Sequence, residues 1–445
     1  VSPGLLELRG CFDGGVPSMI ATCSREGVPN VSYVSQVHYV DAQHVALSFQ
    51  FFNKTRTNML ANPRATVFVI DPDTLARYRL ALLYLRTEDS GPLFESMRAK
   101  LAGIAAHTCM SEIFHLRGAD LFRVLAVEPV PGRQRPPAPR GPAPLAALRP
   151  LASQLAGCSE LDALFEVLLD GLGTYFGVHH AMLLLLDRGG QRLYTVASRG
   201  YAASGIGSEI PLGNGIVGIA AQQATPIRIN YMNTEYAYGR TVHAELAAGA
   251  ELETLIPLPG LPAPHSQLAV PIPGGDAPLG VLYLESPHDA RFGHDEEDAF
   301  VALAAQLGAG IRLLTLNADC SEPQPPPAPP PIPAGRPLRV RHYCSNDSVF
   351  LDEAYLIKGV AGSILWRLLE LHQREGRREF SNRELRLDPA IRLPGLADNL
   401  EARLILLERR LRERDAGLWL EKTGRGRFRL CLAHPLELLE MPATR

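Results

Sequence analysis

Residues 399–415, NLEARLILLERRLRERD, and the segment that follows at 417–432, GLWLEKTGRGRFRLCL, decide how this 445-residue chain is read. In the first, Leu400, Leu404, Leu407 and Leu411 recur at three- and four-residue spacing and define one apolar helical face. Arg403, Arg409, Arg410, Arg412 and Arg414 fall mostly off that face. In the second, Leu418 and Leu420, then Phe428 and Leu430, alternate on either side of Thr423, Gly424, Arg425, Gly426 and Arg427. That is the pattern of two strands around a tight basic turn. A helix with outward arginines beside a basic hairpin suits double-stranded DNA. Arg403, Arg409, Arg410 and Arg412 would approach the major groove, and Arg425, Arg427 and Arg429 the phosphates or minor groove. The competing reading is a solvated helix, because Glu401, Glu408 and Glu413 interleave with the arginines and surface pairs contribute little.

Working upstream, RVRHYCSNDSVFLDEAYLIKG has the punctuation of short strands, and VAGSILWRLLELHQ the period of a helix. In FSNRELRLDP, Ser381 stands three residues before Glu384, which is capping-box spacing. Strands, three helices and a hairpin in this order, with NLEARLILLERRLRER and EKTGRGRFRL, resemble the winged helix-turn-helix domain of OmpR-type regulators over about 339–432. Arg427 intervenes between the second wing glycine and the aromatic Phe428, a departure from that family. Charge agrees when partitioned. Residues 336–432 hold 20 Lys plus Arg against 14 Asp plus Glu, so this end is +6 while the whole chain is −3 and the remainder −9.

Length predicts two to four domains. Two proline-rich stretches, at 129–144 and 322–337, read as extended spacers and give the boundaries. The expected units are 1–130, a linker at 131–148, 149–318, a linker at 319–337, and 338–445. Together they make a multidomain α+β protein. Seven cysteines are scattered without a CxxC or His/Cys cluster, so neither a disulfide framework nor a metal site is expected. No apolar run approaches the ~18–20 residues of a membrane span, and no signal pattern opens the chain, so a cytoplasmic protein without membrane contact is expected.

The first unit reads mainly as β. VPSMIATCS, VPNVSYVSQVHYVD, HVALSFQFF, ATVFVIDP and ADLFRVLAVEP are strand-like, NKTRTNMLAN is a short helix, and EDSGPLFESMRAKLAGIAA an amphipathic one. This pattern resembles the FMN-binding split barrel of the pyridoxamine 5'-phosphate oxidase-like family. Laid on that family's Ser-Arg-Lys-x-x-Asn segment, Asn53, Lys54 and Thr55 take the first three places and Asn58 the last, with one cation displaced to Arg56. The resemblance implies a phosphate held by Lys54, Thr55, Arg56 and Asn58, with Ser35 and Gln36 on the polar rim of the flavin. A solvated turn is the alternative for the two cations. Haem is the second cofactor that such barrels admit, and His38, His44, His107 and His115 are the imidazoles available.

The middle unit opens with a helix pair, LRPLASQLAGCSELDALFEVLLDGLGTYFG. It continues through the strands HHAMLLLLD, RLYTVASRG, QLAVPIP and PLGVLYLES, and closes on the helix FGHDEEDAFVALAAQLGAGIRLL, read as capped by Asp295. With GNGIVGIAAQQATPI between them, these segments resemble a GAF domain, an α/β sensor fold, over 151–314. The resemblance implies a small-molecule ligand under the loop after GIAAQ. That loop holds Tyr231, Tyr236, Tyr238, Arg240 and His243, and plain loop packing by the tyrosines carries equal weight. A homodimer through the flanking helices is implied in the same way.

Assembled, the chain reads as a one-component transcriptional regulator in which a split barrel and a GAF domain sense a small molecule or redox cofactor and a winged helix binds DNA. Two other readings stay open. One is a flavin-dependent oxidoreductase with regulatory GAF and dimerising winged-helix parts, and the other a partner-binding scaffold.

Overall fold

A computed structural model describes the chain except residues 1–2, 13–15, 35–36, 50–53, 108–115, 137–142, 188, 190, 231–255, 319–335, 392, 394–398 and 442–445, and the side chains of 102–107 and 318. Its N-terminal unit runs β1 (Ser18–Cys23), β2 (Pro29–Val34), β3 (Val37–Tyr39), β4 (His44–Phe49), α1 (Lys54–Ala61), β5 (Arg64–Ile70), β6 (Arg77–Glu88), α2 (Pro92–His107) and β7 (Gly118–Val130). The strands form an antiparallel sheet in the order β2-β1-β5-β6-β7-β4-β3. It curls over Ile20, Val45, Val67, Leu80 and Phe122, all buried. Sequence analysis leaves β6 unassigned, although it pairs with both β5 and β7 at the centre of the sheet. In RYRLALLYLRTE only Leu80 and Leu82 are fully buried, so the alternation that marks a half-buried strand is weak.

The middle unit begins with α3 (Pro144–Ala156), the first helix of the expected pair, which starts inside the stretch expected to be linker. Pro144 stands at the helix start, where a missing N–H costs nothing, and Ala147, Leu151 and Leu155 give the helix a buried face. There follow α4 (Leu161–Phe176), β8 (His180–Asp187), β9 (Arg192–Arg199), β10 (Glu209–Pro211), α5 (Gly215–Gln223), β11 (Ile227–Ile229), β12 (Ser266–Ile272), β13 (Gly280–Ser286) and α6 (His294–Ala318). The sheet order is β10-β9-β8-β13-β12-β11, with α3, α4 and α6 on one face and α5 on the other. By length and composition α6 is apolar enough to cross a membrane. Its Phe300, Leu303, Leu307 and Ile311 are instead buried against the sheet and its neighbouring helices, while Leu313 and Leu316 near its end are exposed. Asp295 lies inside its first turn rather than capping it, and the Glu296 carboxylate accepts from the Gly293 N–H.

The first two units touch through α2, which packs on α5 and β11. Beside that contact Arg228 pairs with Glu297 at 2.7 Å, and the His294 ring lies 3.1 Å from the Arg9 carbonyl.

The C-terminal unit comprises β14 (Leu338–Tyr343), β15 (Ser348–Leu351), β16 (Ala354–Ile357), α7 (Gly359–Glu375), β17 (Glu379–Ser381), α8 (Asn382–Leu387), α9 (Leu400–Arg414), β18 (Leu418–Gly424), β19 (Arg427–Leu432) and β20 (Leu436–Met441). Two sheets result, β16-β15-β14-β20 and β17-β19-β18. The capping box at α8 is formed on both sides. Glu384 N–H donates to Ser381 Oγ at 3.3 Å, and Ser381 N–H to Glu384 Oε2 at 3.1 Å. Leu400, Leu407 and Leu411 of α9 are buried as the helical period requires, each contributing about 1.5–3 kcal/mol. Beyond the expected hairpin the chain adds β20, which runs parallel to β14.

Candidate functional site

Three places bear on function. In the N-terminal unit α1 carries the residues read as a phosphate clamp. Arg56 is committed elsewhere: its guanidinium meets the buried Asp120 carboxylate at 2.7 and 3.0 Å and Thr87 Oγ1 at 3.1 Å, and lies 3.9 Å over the Phe49 ring. Thr55 Oγ1 accepts from Asn30 at 2.9 Å, and the buried Asn58 donates to Thr22 at 3.2 Å. Of the four, Lys54 alone is exposed. The clamp as read therefore does not fit a dianion, because a buried carboxylate already neutralises its second cation. Ser35, Gln36, Asn53 and His115 lie outside the described residues, as does the side chain of His107. His38 and His44 serve different surroundings. Burial, with Lys100 adding, pushes the His38 imidazole down to about 4, whereas His44 pairs with Asp41 at 2.9 Å.

The second place is the face of the middle sheet opposite α3, α4 and α6. There Glu285 is 3% exposed in a strand otherwise apolar but for Tyr283 and Ser286. Its Oε1 accepts from Tyr283 at 2.8 Å and Gln267 at 2.9 Å, and its Oε2 from the Leu261 N–H at 3.1 Å. Tyr201 faces the same carboxylate. Burial first, and then Glu285, drives its phenol far above the ordinary value. Among the described residues no cation pairs with Glu285, so the floor of this face is a buried carboxyl group ringed by donors. Such a floor suits a ligand that brings a positive charge or N–H groups. Tyr231, Tyr236, Tyr238, Arg240 and His243, the residues expected to line the ligand, lie outside the described residues. Sequence reasoning missed Glu285, and the available signal was a carboxylate inside VLYLE, where alternation alone would place it on the face of Tyr283.

The third place is α9, and here the expectation of outward arginines is corrected. Arg403 and Arg410 are 4% and 6% exposed. Arg403 lies 3.9 Å over the Tyr194 ring and 3.2 Å from Asp187. Arg409 donates to the Val196 carbonyl at 3.0 Å and to Asp162 and Glu166 at 2.6 Å each. Arg410 donates to the Leu356 carbonyl at 3.1 Å and pairs with Glu413 at 2.6 Å. Its side chain also passes Gly207, whose φ is +85°. Thus α9 is held from two sides, by its own unit and by α4 and β9 of the middle unit, within one continuous buried cluster. The apolar period reveals only the first side.

On the rim, Arg412 pairs with Glu408 at 2.5 Å and stays exposed, as does Arg425 at the hairpin turn. Arg429 is tied to Glu379 at 2.5 Å, and Arg427 is half-buried. Arg427 borders a cavity of about 200 Å³ walled also by Glu160, Asp162, Glu401, Glu408 and Lys422. Lys422 closes it with a 2.9 Å pair to Glu160. Burial, with repulsion from Asp162, raises the Glu408 carboxyl above its ordinary value despite Arg412, Arg409 and Lys422.

Two family models match this chain. Residues 7–133 match the pyridoxamine 5'-phosphate oxidase model and residues 160–311 the GAF domain model. The chain carries a pyridoxamine 5'-phosphate oxidase-like split barrel and a GAF domain. No curated protein matches it. Solved structures resemble single domains. An FMN-binding protein from Syntrophomonas wolfei is 14% identical over 29% of this chain and 86% of its own, with a TM-score of 0.25. The GAF domain of an Acinetobacter phosphoenolpyruvate-protein phosphotransferase is 22% identical over 39% and 95%, at 0.31. Free methionine-R-sulfoxide reductase from Neisseria meningitidis is 18% identical over 40% and 96%, at 0.31. The face bearing Glu285 thus belongs to the GAF domain, and α9 docks on the opposite face of the same sheet.

Proposed function

We propose that the chain is a ligand-gated, DNA-binding regulator held closed by its own GAF domain. The observation that carries this reading is the placement of α9: Arg403 and Arg409 rest on Asp187, Asp162 and Glu166 of the GAF domain. These carboxylates pair with the cations that a winged helix would offer to DNA phosphates or base edges, so GAF docking and DNA binding would compete for the same arginines. The order of strands, capped helices and basic hairpin supports a winged-helix reading of the C-terminal unit, with α9 as its recognition helix.

The route from ligand to α9 is the segment from Gly200 to Ser208. Tyr201 at one end meets Glu285, while Ser204 donates to Glu413 of α9 and Gly207 adjoins Arg410. A cationic or N–H-rich ligand that engages Glu285 displaces Tyr201, shifts this segment and loosens the helix. In a homodimer, exposed Val31 and Tyr33 on the edge strand β2, and Leu313 and Leu316 at the end of α6, are the apolar positions a second copy would cover. The split-barrel fold makes FMN the cofactor to test, but with Thr55, Arg56 and Asn58 committed to protein partners no flavin or haem step enters the reading.

Fluorescence anisotropy of the full chain on duplex DNA at two salt concentrations tests it. Asp162→Asn combined with Glu166→Gln frees Arg409 and should tighten binding about tenfold, or ~1.4 kcal/mol, with affinity falling steeply as salt rises. Equal affinity in both proteins breaks the competition, and no binding by either removes DNA as the partner.

A further inference from the structure

The C-terminal sheet brings together three side chains that the sequence keeps apart. His342 and Cys344 are two residues apart and so share one face of β14 and its continuation. Glu440 stands opposite His342 in the parallel pairing with β20, which extends to a Cys344 N–H bond to the Met441 carbonyl at 3.2 Å. A ring nitrogen of His342, the Cys344 sulfur and a Glu440 carboxylate oxygen all lie within 4.8 Å of one another.

The histidine is arranged as a ligand would be. It is 5% exposed, and its ring stacks on Trp366 at 4.7 Å with an interplanar angle of 16°. Nε2 is 3.1 Å from the Asp347 carboxylate, an acceptor that favours the tautomer carrying the proton there. Nδ1 is buried and has no hydrogen-bond partner among the described residues. A buried imidazole nitrogen without a partner is costly, and a carboxylate on the far nitrogen is the usual support for a metal-bound histidine.

We propose that His342 Nδ1, Cys344 and Glu440 form a binding site for a divalent transition metal ion of zinc-like preference. The nitrogen, sulfur and oxygen donor set matches Zn²⁺, and tetrahedral coordination places a sulfur and an oxygen ligand about 3.5 Å apart. Cys344 Sγ and Glu440 Oε1 already stand at 3.3 Å. On binding, the thiol proton leaves to solvent and the thiolate completes the three protein ligands. Because Glu440 is exposed, the fourth position faces water. The ion would staple the last strand of the unit to its first.

The test uses the full chain with Zn²⁺ and Co²⁺ alone. Equilibrium dialysis should give one ion per chain, and Co²⁺ should produce a near-ultraviolet thiolate charge-transfer band that Cys344→Ser abolishes. Cys11, Cys23, Cys158 and Cys431 are also free thiols, so that variant distinguishes this site from the others. Glu440→Gln, at an exposed position, should weaken binding tenfold or more without unfolding the protein, and Asp347→Asn should weaken it by about 10–100-fold. The absence of a band in the unmodified chain, a band that survives Cys344→Ser, or Zn²⁺ affinity unchanged in Glu440→Gln would each overturn the proposal.

Discussion

The helix α9 and the β18–β19 turn are equally basic in sequence and differ in what their arginines meet. On α9, Arg403, Arg409 and Arg410 are enclosed by carboxylates, a carbonyl or an aromatic ring, whereas Arg425 at the turn is exposed. An arginine run therefore states only that anions are needed nearby. Whether those anions belong to the protein or to a polyanion depends on which surfaces fold together. In this structure Arg425 at the turn stays exposed, whereas Arg403, Arg409 and Arg410 of the helix are already matched by protein groups.

The largest test of that contrast is Leu407→Ala, which opens a cavity where α9 meets its own unit. It should cost about 2–5 kcal/mol of C-terminal stability in denaturant unfolding. A loss confined to ~0.5 kcal/mol would mean that GAF docking, not the C-terminal core, holds the helix.

Next in size is the comparison of Arg409→Ala with Arg425→Ala. Loss of Arg409 removes a half-buried ion pair and should destabilise docking by about 1–3 kcal/mol, seen as faster hydrogen exchange in β9. Loss of Arg425 should leave stability within ~0.5 kcal/mol while flattening the salt slope of DNA binding by about one unit. Identical behaviour of the two variants would erase the distinction between helix and turn.

The smallest effect concerns pH. The docked Glu408 holds its proton to a higher pH than a free glutamate, because burial and Asp162 oppose its charge. Docking is then strongest at and below the ordinary glutamate value and weakens as pH rises through the raised one. Glu408→Gln should remove that dependence and hold α9 more tightly at neutral pH, as slower β9 exchange would record. A slope that persists in the variant assigns the pH response to another group.

Much of the architecture was legible because it is local. The period of Leu400, Leu404, Leu407 and Leu411, the spacing of Ser381 and Glu384, and the short apolar runs of β8, β9, β12 and β13 each lie within a few residues. The strand β6 was lost because its arginines and sparse burial hide its alternation, and the first turn of α3 because proline density read as spacer concealed the helix start.

By itself the sequence determined the kinds of element, their order, and the concentration of positive charge at one end, since these follow from backbone propensity and side-chain period. Tertiary structure alone decided that Arg56 faces Asp120, that Arg409 faces Asp162 and Glu166, that Glu285 lies beneath the GAF face, and that His342 meets Glu440. The physical reason is distance along the chain. Hydrogen bonds and ion pairs between residues tens to hundreds apart form only after the sheets have paired and the units have packed, and no local pattern encodes their partners.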